Sequence, residues 1–375
     1  MNPTNYDRIV ALRHELHMHP DLSLKEHQTA LRISRFLKEH TTMQIYDCNG
    51  WLYAVKPGKT GRKKIAFRAE LDALPIAESP DDPHGSRHPG ISHKCGHDGH
   101  LAALCGLALE LEQESLDQTI YLIFQPGEEI GTGARVCLEQ LREEGISEIY
   151  AFHNLPGYPA GSVVYRNGLT QPASEGIRFT WTGERSHAAE PEKGKTPASL
   201  IADLVLYSEA IRKAPRDRLL LSTVTGIRMG SGDFGISPGE GEVSITLRAE
   251  EEEEMKSLER ELIRFTCEQA EQEGIRVEYS IHDPFPETRN QDACLQKVLQ
   301  AAKRKGIPAI RMQDLWRASE DFGHYLKAWP GAIFYIGCGE HYPALHTKEY
   351  DFPDAILEQA VDILMEIADA DRTEQ

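Results

Sequence analysis

The order in which hydrophobic periodicities change along the chain constrains its fold more than any other feature. Ile65–Phe67 reads as a short buried strand, Gly99–Glu114 as an apolar helix and Thr119–Phe124 as a β-branched, aromatic strand; Val136–Glu144 and Glu148–Phe152 repeat the helix and strand. Such alternation is the signature of an α/β layer with a mostly parallel sheet. After Gly168-Leu-Thr-Gln-Pro172 the rhythm changes. Strand 176–183, helix 197–214, strands 219–229 and 241–248, helix 250–273 and strand 275–282 give the order βαββαβ, the ferredoxin-like unit. From Asn290 the α/β alternation returns, ending in a helix over 355–370. The expected fold class is therefore α/β: a mixed, mostly parallel sheet flanked by helices over 1–172 plus 285–375, interrupted by an inserted ferredoxin-like α+β domain over 173–284.

Upstream, residues 4–40 read as a helix broken at His19-Pro20-Asp21, because proline cannot continue a helix. The polar stretch 79–93 reads as a long loop, and loops of that length in compact proteins are often functional.

Charge and composition exclude several classes of function. Lys and Arg number 41 against 59 Asp and Glu, a formal charge of -18 that disfavours nucleic acid or an anionic membrane as partner. No apolar run approaches the roughly 18 residues a membrane span needs, and the N-terminus lacks a basic segment followed by an apolar stretch. Seven scattered cysteines without a Cys-X-X-Cys pair read as a reduced, cytoplasmic protein. The sixteen histidines are the first hint of chemistry.

Their placement sharpens that hint. In Ser92-His-Lys-Cys-Gly-His-Asp-Gly-His100, Cys95 and His97 flank a glycine, and a short turn there can aim both side chains at one centre. A thiolate, an imidazole and a carboxylate suit a borderline divalent ion such as Zn, Mn, Co or Ni; a polar loop with a buried cysteine is the plain alternative. Gln125-Pro-Gly-Glu128-Glu129 directly follows a strand, and open α/β sheets bind ligands beyond the carboxyl ends of their strands. Adjacent glutamates on irregular backbone can diverge, one binding metal while its neighbour accepts a proton. A third strand end offers His153, and a fourth offers His341 and His346.

Taken in order, Arg13…His17-Met-His-Pro-Asp-Leu with Glu26, Phe67-Arg-Ala-Glu70-Leu-Asp72-Ala-Leu-Pro75, Cys95-Gly-His-Asp, Gln125-Pro-Gly-Glu-Glu129, His153, Gly183-Glu-Arg-Ser-His187-Ala-Ala, Ser319-Glu-Asp-Phe322 and Leu345-His346 span nearly the whole chain. They resemble the metal-dependent amidohydrolase family of aminoacylases, hippurate hydrolases and indole-acetyl-amino-acid hydrolases, a branch of the carboxypeptidase-like zinc metallopeptidases. The resemblance implies that the inserted domain is a lid used for homodimerisation. It implies two divalent metal ions held by Cys95, His97, Glu129, His153 and His346. Glu128 becomes the general base toward a metal-bound water, in cleavage of an N-acyl amino acid or similar small amide. His187, which in this family can reach the site from the partner subunit, would stabilise the oxyanion, and Arg248 would hold a substrate carboxylate.

Residues nearby are expected to play supporting parts. Asp98 and His100 orient the loop or the ligands, Ser319–Phe322 shape the pocket or support ligands, and His14, His17 and His19 serve helix packing and turn hydrogen bonds. Three positions depart from the family pattern: Glu70 stands where Asp is usual, Phe234 lies where an amide side chain would help bind substrate, and Glu192 follows Pro191 where His is common. They put substrate preference in doubt rather than catalysis. Two other readings remain: a thiol amidase with Cys95 as nucleophile, and a catalytically silent small-molecule binding protein on the same fold.

Overall fold

The computed structural model describes residues 1–78 and 83–369; the opening of the expected loop 79–93 and the last residue of the expected helix 355–370 lie outside them. The chain forms two compact units, Met1–Thr170 with Thr288–Leu315 and Glu320–Gln375, and Gln171–Glu287 with Trp316–Ser319. The short segment Trp316–Ser319, read from the sequence as part of the α/β domain, groups with the second unit.

The first unit begins with α1 (Pro3–Met18), α2 (His27–His40), β1 (Gln44–Asp47), β2 (Leu52–Lys56), β3 (Lys64–Glu70), α3 (His97–Leu111), β4 (Thr119–Gln125), α4 (Gly133–Leu141), β5 (Glu148–Pro156), β6 (Val163–Tyr165) and β7 (Leu169–Gln171). The second unit supplies β8 (Ala173–Thr182), β9 (Ser186–His187), α5 (Ala198–Lys213), β10 (Leu220–Met229), β11 (Ile236–Ser237), β12 (Glu240–Ala249), α6 (Glu252–Gln272) and β13 (Arg276–Phe285). The chain then returns through β14 (Thr288–Arg289), α7 (Asp292–Arg304), β15 (Ala309–Arg311), α8 (Gly323–Ala328), β16 (Gly331–Gly339) and α9 (Leu357–Ala368).

In the first unit eight strands lie in the order β1-β2-β4-β3-β5-β16-β6-β15. Its middle, β4-β3-β5-β16, is parallel throughout, so four carboxyl ends lie side by side. These strands are continuous apolar runs, as a sheet covered on both faces requires: β4 is buried at every position. The helix α3 is buried on nearly all sides, which its all-round Ala/Leu composition permits. Burial of each leucine there contributes about 1.5–3 kcal/mol.

The second unit is a four-stranded antiparallel sheet in the order β10-β12-β8-β13, with α5 and α6 as its helices. This is the ferredoxin-like order. Strict alternation along β8 drives it: Ile177, Phe179 and Trp181 are buried while Arg178, Thr180 and Thr182 are exposed. The glycine-rich connection between β10 and β12 carries β11, which pairs with β9 and sets Ile236 opposite His187. Glu252, Glu253 and Glu254 open α6, where its dipole favours acids.

Candidate metal and catalytic centre

The candidate ligands come from three of the four parallel strand ends, those of β4, β5 and β16, and from the start of α3. Gly96, at φ +90°, turns the chain between Cys95 and the first residue of α3, His97. Only glycine fits there, because an added Cβ would lie 2.6 Å from Asn154 Oδ1. The turn brings the Cys95 thiol 3.5 Å from His153 Nε2. His153 itself lies within β5, which runs on to Pro156, rather than in a loop beyond it.

Beyond β4, Glu128 and Glu129 follow Gly127, whose N–H donates to Glu26 Oε1 at 2.7 Å. Glu129 Oε1 lies 3.8 Å from His97 Nε2, and Glu129 Oε2 lies 3.7 Å from His346 Nε2. Glu128 Oε2 stands 3.9 Å from the same His97 nitrogen. His346 adopts φ +62°, a conformation a non-glycine residue rarely takes, held by its N–H donating to Lys94 O at 2.8 Å. Donor atoms of Cys95, His97 and His153 lie within 4.8 Å of one another, as do those of Cys95, Glu129 and His346. These two triads share Cys95 and together contain the five residues expected as ligands. His341 is exposed.

Hydrogen bonding sets the chemical state of the imidazoles. His97 Nδ1 is 2.8 Å from Asp72 O, and His153 Nδ1 is 2.8 Å from Asn154 O. A carbonyl can only accept, so each Nδ1 carries a proton and each ring turns its Nε2 toward the centre; burial opposes a charge on His97, but Asp72 and Glu129 outweigh it and raise its pKa. His97 Nε2 and Glu129 Oε1 are buried without a hydrogen-bond partner. Buried polar atoms without partners are costly, and a cation between them would satisfy both. Burial, with His100 and His97 nearby, holds His153 well below the usual imidazole range. Burial and the adjacent carboxylates Glu129 and Glu128 push the Cys95 thiol well above its ordinary value. Burial and the acids Glu320, Glu129 and Asp321 likewise raise Glu128, and burial lifts Glu129 to about 7. A donor set of one thiol, three imidazoles and a carboxylate, crowded by further acids, fits divalent cations.

A second layer holds these groups, and much of it was outside the expected site. Asp72 accepts from Ser23 Oγ at 2.7 Å and from Glu129 N at 3.0 Å, tying β3 to the glutamate turn. His100 bridges Glu70 Oε2 at 2.6 Å and Asn154 Oδ1 at 2.5 Å, so both its nitrogens are occupied and it orients the ligands rather than joining them. Glu70, the family departure, reaches His100 and Arg68 together. Asp98 Oδ2 lies 2.8 Å from His17 Nδ1 and 3.4 Å from Arg13 Nη1. His17 therefore does more than pack a helix: it forms a buried ionic link between α1 and the start of α3. The signal was present in Arg13…His17, four residues apart on one helix face.

The second-unit residues are placed less restrictively. His187 is exposed on β9, its Nδ1 accepting from Ala189 N at 3.1 Å. Arg248 donates from Nη1 to Arg317 O at 2.8 Å and to Ser319 Oγ at 3.2 Å, and burial lowers its pKa from the usual arginine value. Phe234 is 99% exposed.

Histidine, cysteine and carboxylate donors at the carboxyl ends of a parallel sheet, with one more buried carboxylate beside them, define the class of metallohydrolases. The chain belongs to peptidase family M20/M25/M40, whose sequence model matches residues 66–370. It is 30% identical over 360 residues to the N-acetyl-L-cysteine deacetylase of Bacillus subtilis (strain 168), covering 93% of this chain and 86% of that one. A second protein of that strain, an N-acetylcysteine deacetylase, is 29% identical over 356 residues, covering 92% and 93%. Among solved structures, the Bacillus subtilis YXEP protein, a dinuclear metal binding peptidase from the M20 family, superposes with a TM-score of 0.82 at 26% identity, covering 98% of this chain and 99% of that one. The family and the fold class expected from the sequence agree with these likenesses. Among the described residues no helix is long and apolar enough to cross a membrane.

Proposed function

We propose that this protein hydrolyses the amide bond of a small N-acyl amino acid, using two divalent metal ions held by Cys95, His97, Glu129, His153 and His346. The observation that carries the reading is the convergence of the His97 and His153 Nε2 atoms, the Cys95 thiol and the unpartnered Glu129 Oε1 in one buried cluster. Bound there, the ions would polarise the scissile carbonyl and acidify a water.

The chain's own residues do the rest. Glu128 takes a proton from the attacking water and returns it to the departing amine, its Oε1 steadied by the Asp321 N–H at 3.4 Å. His187 donates to the developing oxyanion, and its exposure in a single chain suits a residue that acts across a homodimer formed through the second unit. Arg248 binds the substrate carboxylate through the fork nitrogens not engaged by Arg317 and Ser319. Phe234 takes part in selecting the acyl group or amine. A reducing, cytoplasmic setting keeps Cys95 available as a ligand.

The thiol amidase reading is disfavoured by the same geometry. A nucleophilic cysteine needs a lowered pKa beside a protonated base, whereas Cys95 is raised and His153 is held neutral. The test is a screen of N-acyl amino acids, including N-acetylcysteine, against protein loaded in turn with Zn, Mn, Co and Ni, alongside Glu128→Gln. The expected result is cleavage by the parent and a loss of about 10²–10⁴-fold in kcat for the variant at unchanged metal content. A Glu128→Gln protein as fast as the parent on every cleaved amide would remove the base assignment.

A further inference from the structure

We propose that Arg68 is a positioning residue for hydrolysis: it locks the Asp321 carboxylate, and through that segment the Asp321 backbone N–H aims the Glu128 carboxylate. The inference rests on Glu128 being the base.

Arg68 lies on β3, fully buried, and every arm of its fork is engaged. Nε donates to Gln125 Oε1 at 2.9 Å, Nη1 to Glu70, and Nη2 to both Glu320 Oε1 and Asp321 Oδ1 at 2.7 Å. Asp321 is saturated in turn. Gln125 Nε2 stands 2.8 Å from each of its oxygens, and Ala134 N donates to Oδ2 at 2.9 Å. Ala134 lies in the first turn of α4, and Gly133 N, just before it, closes on Gly127 O at 3.2 Å. The glutamate turn is therefore gripped at both ends by one network: Asp321 N holds Glu128 Oε1 at 3.4 Å, while the Asp321 side chain holds the exit of the turn.

The charge pattern explains why the base needs this grip. Glu128 has Glu129, Glu320 and Asp321 around it, and unrestrained it would swing away from three like charges. Arg68 is the cation that draws Glu320 and Asp321 into fixed geometry. A planar guanidinium can engage four acceptors in fixed directions; a lysine ammonium cannot. A misplacement of about 1 Å at a reacting group can cost roughly 10²-fold in rate.

A purely structural role would lower stability without singling out Glu128, so the test is a double-mutant cycle on the metal-loaded protein, using the N-acyl amino acid it cleaves best. Arg68→Lys keeps the charge and breaks the fork. Gln125→Met keeps all charges and removes the amide that braces Asp321 and accepts from Arg68 Nε, which guards against an Arg68 variant that fails to fold. In the parent background each should lower kcat about 10- to 100-fold, with KM within about threefold and metal content unchanged. In the Glu128→Gln background either change should lower the residual rate less than about twofold, because the positioned base is already gone. Equal fold-losses in both backgrounds, with Glu128→Gln itself crippled, would overturn the inference alone. Loss that tracks missing metal would do the same. A fully active Glu128→Gln would instead overturn the base reading, and the inference with it.

Discussion

Gly96→Ala tests whether the metal centre depends on one backbone turn. Two separate costs can be worked from the structure. At φ +90° an L-residue pays about 1–2 kcal/mol for left-handed backbone. The new Cβ would also lie 2.6 Å from Asn154 Oδ1 and 2.9 Å from Tyr350 OH, well inside normal separation. Asn154 cannot step aside freely, since its Oδ1 is 2.5 Å from His100 Nε2 and its Nδ2 donates to Tyr350 OH at 2.6 Å. Relief breaks one or both bonds, at roughly 0.5–1.5 kcal/mol each. The sum is about 2–4 kcal/mol, and at about 2–4 °C per kcal/mol for a unit of this size the melting midpoint should fall roughly 5–15 °C. Gly168→Ala is the control: its φ is +61°, in the same unit, with nothing within 4 Å of the new Cβ, so it carries the backbone cost alone. Calorimetry on both variants therefore isolates the close approach, and elemental analysis shows whether Cys95 and His97 still bind metal together. Coincident melts for the two variants, with full metal content in Gly96→Ala, would refute the argument.

Other expectations follow from individual side chains. Chelation should abolish hydrolysis and re-addition of metal restore it; activity that survives exhaustive chelation and dies on thiol alkylation would transfer the chemistry to Cys95 itself. Burial alone would lower His17, but Asp98 and Glu78 outweigh it and raise it to about 10. For a raised histidine the stabilisation is full below its unfolded value of about 6.5 and is lost as pH climbs through about 10. Its partner Glu78, depressed to about 2 chiefly by His17 against the opposing effect of burial, contributes above about 4.5 and loses its share as pH falls through about 2. His17→Gln should flatten the alkaline limb of a melting-temperature profile between pH 7 and 10, and an unchanged limb would dismiss the ionic link. Arg248→Ala should raise KM about 10- to 100-fold for carboxylate-bearing substrates with little change in kcat; equal loss for an uncharged amide would argue against carboxylate binding.

Much of this was legible in the sequence because periodicity and burial coincide. The β4 run is apolar from Ile120 to Phe124 since it is covered on both faces, and β8 alternates since only one face is covered. The strands missed, β1, β2, β6, β7, β9, β11, β14 and β15, are two to five residues long, and β1 is largely exposed, so they leave too few positions to establish a period. The candidate ligand positions stood out as chemistry at strand ends. Of their supports, Asp98, His100 and the 319–322 segment were read, whereas the parts of Asp72 and Glu26 were not, because Asp72 acts partly through a backbone carbonyl and Glu26 holds Gly127 from a hundred residues away. Arg68 is the clearest case. Within a buried strand its sequence neighbours say nothing of Glu320 and Asp321, which only the return of the chain after the second unit brings alongside.

The chain's charge of -18 at first looks opposed to an anionic substrate, and the structure resolves the conflict by distance. Exposed charges are screened beyond about 8–10 Å at physiological ionic strength, so the acidic surface slows encounter without deciding affinity at a buried centre. At that centre Glu70, Glu320 and Asp321 hold Arg68 with Glu128 close by, Asp72 is tied to Glu129 N, and burial lifts Glu129 and Asp321 each to about 7. One guanidinium cannot balance that many carboxylates, and a divalent cation held among them would offset the excess. Under the proposed function, the attraction for a substrate carboxylate would fall to those cations and to Arg248, which is half-buried.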